Sequence, residues 1–284
     1  MSKMISPEKI QLELNKLAKA SKTLSVNDLR MILALERVIA RVENHKKLSK
    51  HFVFKGGFVL LKTVNSDRFT RDVDALAIGL SRKQVPDLVE DALSQDLQDG
   101  LWFGDVKTSD LVNQGPYGGY TFNAAFTIGK APSVKDPKIK KFSRIRIDVG
   151  FGDALDSVPE KQSMPSILAS EEPVTWSIYP FEFIFAEKME ALFSRGSNNS
   201  RSKDIYDMQL IFGKIKDKKL LRKAIQKTFE NRKTPIPESF WATAQEFELA
   251  VLKKAWGSVE LSTGEEPFDD VWEKFLTVLR SLES

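Results

Sequence analysis

The chain of 284 residues contains no cysteine and only two histidines, His45 and His51. The first absence excludes disulfides, thiolate metal centres and cysteine nucleophiles. The second leaves little room for a histidine zinc site or a hydrolytic triad, so catalysis would have to run on carboxylates, Lys, Arg or hydroxyls. No apolar run approaches the roughly 18 residues of a membrane helix, and no membrane partner is expected. The opening MSKMISPEKIQLEL has no apolar centre of the kind a signal peptide carries, so a cytoplasmic location is expected. Internal repeats and low-complexity stretches are missing too. What the chain does have is 42% hydrophobic residues, enough to bury a sizeable core in one large or two modest domains.

The formal charge of +4 is unevenly placed. From Arg201 to Lys233 there are eleven Lys/Arg against four Asp/Glu, an excess that leaves the rest of the chain slightly acidic. Such a block is either a polyanion-binding face or a solvated helix surface, and charge alone does not decide between them.

Residues 1–50 read as helical. Ser6-Pro7-Glu8 supplies an N-cap and a proline at the first helical position, and Ser25 with Asp28 resembles a capping box before LRMILALERVIARVEN. HFVF then leads through Lys55-Gly56-Gly57 into FVLLKTV, giving strand, tight turn and helix. DVDALAIGL follows as a strand with Val73, Ala75 and Ala77 on one face and Asp72, Asp74 and Leu76 on the other. Ser81 is expected to cap a helix over RKQVPDLVEDALSQDL. Strand signals return in GLWFGDVKT, YGGYTFNAAFTIGK and KKFSRIRIDVGF, the last alternating Ile145, Ile147 and Val149 with Arg144, Arg146 and Asp148. The loop KAPSVKDPKIKK between the last two is basic. After a Pro/Ser-rich connection (158–173) and VTWSIYP, the chain reads as helical to its end, with caps at Asp217, Pro237-Glu238 and Pro267. The expected fold is α+β: a region with a small mixed sheet and N-terminal helices (1–179), followed by a helical domain (180–284). Trp176, Trp241, Trp256 and Trp272 lie in apolar surroundings and are expected in the core, while Tyr179 and Tyr206 are candidates for base stacking.

The stretch FKGGFVLLKTVNSDRFTRDVDAL (54–76) carries the chemistry. Asp72 and Asp74, two apart on a strand, point to one face, where two carboxylates are costly unless a cation sits between them. Hard oxygen ligands favour Mg²⁺ or Mn²⁺; the bland alternative is a pair of exposed acids in a loop. Gly56 and Gly57 follow an apolar strand and open a helix, so backbone can approach a triphosphate near unpaired N–H groups. Phosphates held on one side and metal-binding carboxylates on the other suit phosphoryl or nucleotidyl transfer. Asp148, on the polar face of RIRIDVGFGD, is a third carboxylate that either ligates metal or takes a proton from an incoming hydroxyl. Its plainer role is a strand-end acid paired with Arg144 or Arg146, and Asp153 is the second choice for that third position. Lys188 is either a stem along an apolar helix face or a point charge for nucleotide phosphates. Asp204 and Asp207 are i, i+3 neighbours, and Asp204 could simply cap its helix.

Two blocks carry a family resemblance. The stretch 54–76 resembles the K-G-G…R-F-S-x-D-h-D signature of AbiEii/MenT-like nucleotidyltransferases, toxins of toxin–antitoxin and abortive-infection systems. PFEFIFAEKMEALFSRGSNNSRSKDIYDMQLI is similar to that family's E-K-h-x-A-L…R-D-h-Y-D segment. The resemblance implies a DNA-polymerase-β-like nucleotidyltransferase core followed by a helical domain. It assigns Gly56 and Gly57 to the nucleotide-holding turn and Asp72 and Asp74 to the metal. Arg68 matches the arginine before the aspartates, Lys188 the motif lysine, and Asp204 or Asp207 the acid that follows it. Thr70 replaces a common serine and keeps the hydroxyl; Lys203 replaces an arginine and loses its bidentate fork. The resemblance further implies an NTP substrate with Mg²⁺ (or Mn²⁺), an RNA acceptor, in particular the 3′ end of tRNA, and a cognate antitoxin. Rival expectations are transfer to a protein hydroxyl or small molecule, and a non-catalytic nucleotide- or RNA-binding protein.

Overall fold

A computed structural model of the protein describes residues 5–283 except 22, 112–117, 134–135, 154 and 156–157. Tyr117, expected at the start of a strand, and two residues of the basic loop lie outside that set. The chain divides into two compact units: Met1–Phe58 with Thr70–Gly152 and Pro159–Ile178, and Val59–Phe69 with Asp153–Val158 and Tyr179–Ser284.

The first unit opens on α1 (Pro7–Ala20) and α2 (Val26–Asn44), both started as their sequences dictate. Ser6 Oγ accepts from the Lys9 N–H at 3.3 Å. Ser25 and Asp28 form the reciprocal capping box: Ser25 Oγ accepts from the Asp28 N–H at 3.2 Å, and the Asp28 carboxylate accepts from the Ser25 N–H at 2.9 Å. Strand β1 (Phe52–Lys55) runs directly into α3 (Gly56–Thr63), and β2 (Asp72–Ala77) follows. The helix expected after Ser81 is interrupted. A 3-10 turn covers Arg82–Gln84, Ser81 makes no side-chain cap, and α4 (Val85–Ser94) begins beside Pro86.

Strands β3 (Leu101–Asp110), β4 (Gly119–Ile128) and β5 (Arg144–Gly150) occupy the three predicted segments. Two more complete the sheet: β6 (Glu160–Met164), inside the stretch read as a connection, and β7 (Val174–Ile178). The order is β3-β4-β5-β2-β1-β7-β6. β2 pairs parallel to β5 and antiparallel to β1, and β1 runs parallel to β7. β6 pairs with β7 alone, at the sheet edge, and only its Met164 is buried, so it never shows the alternation that reveals a strand. Side chains alternate across the pleat, so the cross-strand rows Phe54–Ala75–Val149 and Val73–Ile147–Phe122 make one apolar face. All six are essentially inaccessible to solvent. The intervening positions, Asp72, Asp74 and Asp148, emerge on the opposite face.

The second unit carries α5 (Phe181–Phe193), α6 (Ser202–Phe212), α7 (Lys218–Arg232), α8 (Phe240–Gln245), α9 (Ala250–Trp256) and α10 (Phe268–Glu283). Asp217 caps α7 by accepting from the Lys219 and Leu220 N–H groups. The cap of α8 is Ser239, not Pro237-Glu238; its hydroxyl accepts from the Ala242 N–H at 3.0 Å. Aromatic contacts run through the unit from Tyr206 to Trp256, Phe268, Trp272 and Phe275. Tyr206 and Tyr179 are both buried, so neither presents an open ring for base stacking. Among the described residues, no helix is long and apolar enough to cross a membrane.

Candidate active site

The parallel register of β2 and β5 sets Asp74 beside Asp148 and Asp72 beside Arg146. Directly registered residues share a face, so three carboxylates and a guanidinium lie on one patch of sheet. The Thr70 hydroxyl donates to Asp72 Oδ1 at 2.5 Å, fixing the first carboxylate. Asp148 is buried and fully served: the Thr121 hydroxyl donates to Oδ1 at 2.7 Å, and Arg146 binds both oxygens at 2.9 and 2.8 Å. The hydrogen bond to Asp148 holds Arg146 above the ordinary arginine range, and the charges of Asp148, Asp72 and Asp74 add to it. All three acids therefore act on one cation.

Gly56 belongs to the same patch. Its φ of +76° suits glycine, and a Cβ there would lie 1.9 Å from Asp74 Oδ2. The Gly-Gly turn thus brings backbone against a carboxylate of the pair, with Gly57 as the second residue of α3. Lys55, the residue before, stands opposite Asp74 in the β1–β2 ladder and is buried. The sequence alone assigns Lys55 no role. The signal was its place one residue before the glycines on an apolar strand, where a buried lysine needs an acid nearby. Among the described residues no three acidic or histidine groups are already closed around one point at metal-ligand spacing. Asp72, Asp74 and Asp148 share the face, with Asp148 drawn onto Arg146.

In the second unit the other motif residues meet one another. Lys188 Nζ donates to Asp204 Oδ1 at 2.7 Å and to Asp207 Oδ2 at 2.8 Å. Arg68 grips both oxygens of Asp207 at 2.9 Å, and Arg201 Nε reaches Asp204 at 2.6 Å. Burial pulls the Lys188 ammonium down, and Asp204 and Asp207 outweigh it, leaving it raised. Burial likewise pushes both carboxyls up; Lys188, helped by Arg201 at Asp204 and Arg68 at Asp207, holds them below the ordinary range. Asp204 is the third residue of α6 and Arg201 its N-cap, so Asp204 serves the ion cluster rather than the cap position. Asp153 also belongs to this unit, where Arg232 bridges it at 3.3 Å and Glu190 at 2.7 Å. Sequence reading did not find that cluster, because its members come from three distant segments.

The mixed sheet that carries this Gly-Gly turn, the D-x-D strand and an aspartate on the neighbouring parallel strand has a nucleotidyltransferase-like fold. The chain belongs to the AbiEii family of nucleotidyl transferase toxins of type IV toxin–antitoxin systems, whose sequence model matches residues 37–279. That membership implies an antitoxin partner. The fold is shared with JHP933 from Helicobacter pylori at 13% identity and a TM-score of 0.54, over 92% of this chain and 93% of that one. A second H. pylori structure, of a candidate nucleotidyltransferase, is 12% identical with a TM-score of 0.54, over 91% and 96% of the two chains. At these identities the likeness concerns the fold alone. No curated protein matches the chain in sequence.

Proposed function

We propose that this protein moves a nucleoside monophosphate from an NTP onto RNA, at the 3′ end of tRNA, and thereby arrests translation and growth. The observation that carries the reading is the registered trio of Asp72, Asp74 and Asp148 against Gly56, on the polar face of the first unit's sheet. In such a reaction an acceptor hydroxyl oxygen bonds to the α-phosphorus, the bond to the β-phosphate breaks, and pyrophosphate leaves. The donor set fits a hard divalent cation: paired carboxylates on one face, with no histidine or thiolate. When bound, Mg²⁺ or Mn²⁺ supplies charge stabilisation at the phosphate oxygens.

Asp72 and Asp74 are the residues that would hold it, the first braced by Thr70. Asp148 is the third acid, oriented by Arg146 and Thr121 beside the acceptor hydroxyl's place. Gly56 and Gly57 take the phosphates on backbone N–H groups; the family motif also implies nucleotide-binding roles for Lys188 and Arg68, which the second unit holds on Asp204 and Asp207. In this reading residues 1–179 are the catalytic core, 180–284 the accessory helical domain, and the protein works in the cytoplasm. The exposed side of α7 supports an RNA acceptor. Lys219, Arg222 and Lys223 stand exposed there, while Arg201 and Arg232 of the same basic block are engaged in internal ion pairs.

Incubating the purified protein with each α-labelled NTP, Mg²⁺ and total cellular RNA tests the proposal. Label is expected in the tRNA band, and label from a γ-labelled NTP is not. Label on protein or on a small molecule instead would replace the acceptor, and no label in any fraction would contradict transfer itself.

A further inference from the structure

The guanidinium of Arg146 stands among the three carboxylates of the sheet face, where it orients Asp148. Arg146 gives its Nε–H and one Nη2–H to that residue. Across the β2–β5 ladder its registered neighbour is Asp72. The remainder of the fork is uncommitted: Nη1 makes no hydrogen bond to the protein among the described residues, and the side chain is 49% exposed. Arg146 is therefore anchored at one edge and open at the other.

A guanidinium so placed has opposite effects on the two components a nucleotidyltransferase must bind. Toward a divalent cation held by Asp72 and Asp74 it is a like charge, and it keeps both Asp148 oxygens occupied. Toward a triphosphate it offers planar N–H groups of the kind that match phosphate oxygens. With Lys55 opposite Asp74, the resident cations offset two of the three negative charges before any ligand arrives.

We propose that Arg146 is the resident counter-ion of this site, opposing a bare divalent cation and favouring the cation in company with a nucleoside triphosphate, whose phosphates meet Nη1. It acts as a positioning and gating residue rather than a catalytic one. The inference rests on the reading of Asp72 and Asp74 as the metal-holding pair.

Free-Mn²⁺ measurements by electron paramagnetic resonance, on nucleotide-free protein, test it. Arg146→Gln is expected to bind Mn²⁺ about tenfold tighter than wild type, as removal of one nearby like charge implies. Arg146→Lys should stay within about twofold, because the charge is kept while the fork is lost. In EDTA, inorganic tripolyphosphate should bind Arg146→Gln about tenfold more weakly than wild type. Should Arg146→Gln melt below the assay temperature, Arg146→Gln/Asp148→Asn compared with Asp148→Asn carries the same expectation without a buried, unpaired acid. Mn²⁺ affinity unchanged or weakened by loss of Arg146 would overturn the proposal. Asp74→Asn separates the two readings. If it binds Mn²⁺ as wild type does, the metal-holding pair is wrong; if it loses Mn²⁺ while Arg146→Gln gains nothing, only the gating role fails.

Discussion

Gly56 is held at φ +76° with its α-carbon against the Asp74 carboxylate, so one missing methyl group shapes the site. Gly56→Ala would put a Cβ 1.9 Å from Asp74 Oδ2, and either the turn or the carboxylate must move. The expected result is a loss of transfer on the order of 10²-fold and a destabilisation of about 1–2 kcal/mol, from strain at positive φ. Steady-state rates and thermal melts of the variant check both. Lys188 behaves differently. Its ammonium stands between two fully buried aspartates, so Lys188→Met leaves uncompensated charge and should cost about 3–5 kcal/mol by calorimetry. The same cluster fixes a pH dependence. Asp204 and Asp207 are depressed in the folded protein, so their contribution is present above the ordinary carboxylate range and lost as pH falls below it. Lys188 is raised, so its contribution is complete below the ordinary lysine value and lost only as pH rises beyond the folded one. Melting temperatures should show a plateau through neutral pH and a fall below about pH 4 that Asp204→Asn makes shallower.

At the scale of elements, what could be read in advance was what the chain encodes locally. The capping box of Ser25 and Asp28, the Asp217 cap, the turn at Gly56 and the D-x-D alternation each involve residues only a few positions apart in the chain. The strand-to-strand register was not legible. Asp74 and Asp148 are brought together by a parallel pairing that no local pattern states, and Asp148 could equally have been a surface acid. Strand β6 was missed because an edge strand paired on one side needs no apolar face. The excess of positive charge was visible, but not that Arg201 and Arg232 are engaged in ion pairs while Lys218, Lys219 and Lys223 of α7 are exposed. If that outward face tracks RNA, neutralising Lys218, Lys219, Arg222 and Lys223 together should flatten the salt dependence of RNA binding. Each lost phosphate contact should lower the log–log slope by somewhat less than one. Lys218 also sits 3.4 Å above the Phe212 ring, so its share of the effect should be the smallest of the four. An unchanged slope would make α7 an ordinary solvated surface.

For the whole molecule, the chain crosses between its two units inside the first motif. Residues 59–69, with Arg68, belong to the helical unit, and Thr70 opens the segment that returns to the sheet. The R-F-T-R-D-V-D run is therefore shared between two bodies, which explains why a family signature continuous in sequence separates into a carboxylate face and an ion cluster. The AbiEii match over residues 37–279 spans both. The central claim is that the Asp72–Asp74 pair drives nucleotidyl transfer, and it is tested most directly by label transfer from an α-labelled NTP to RNA at saturating Mg²⁺. Wild type is compared with Asp72→Asn and Asp74→Asn, each checked for folding by circular dichroism. Transfer should fall by at least about 10³-fold in both variants while each still melts as a folded protein. Near-normal transfer by either folded variant would contradict the account.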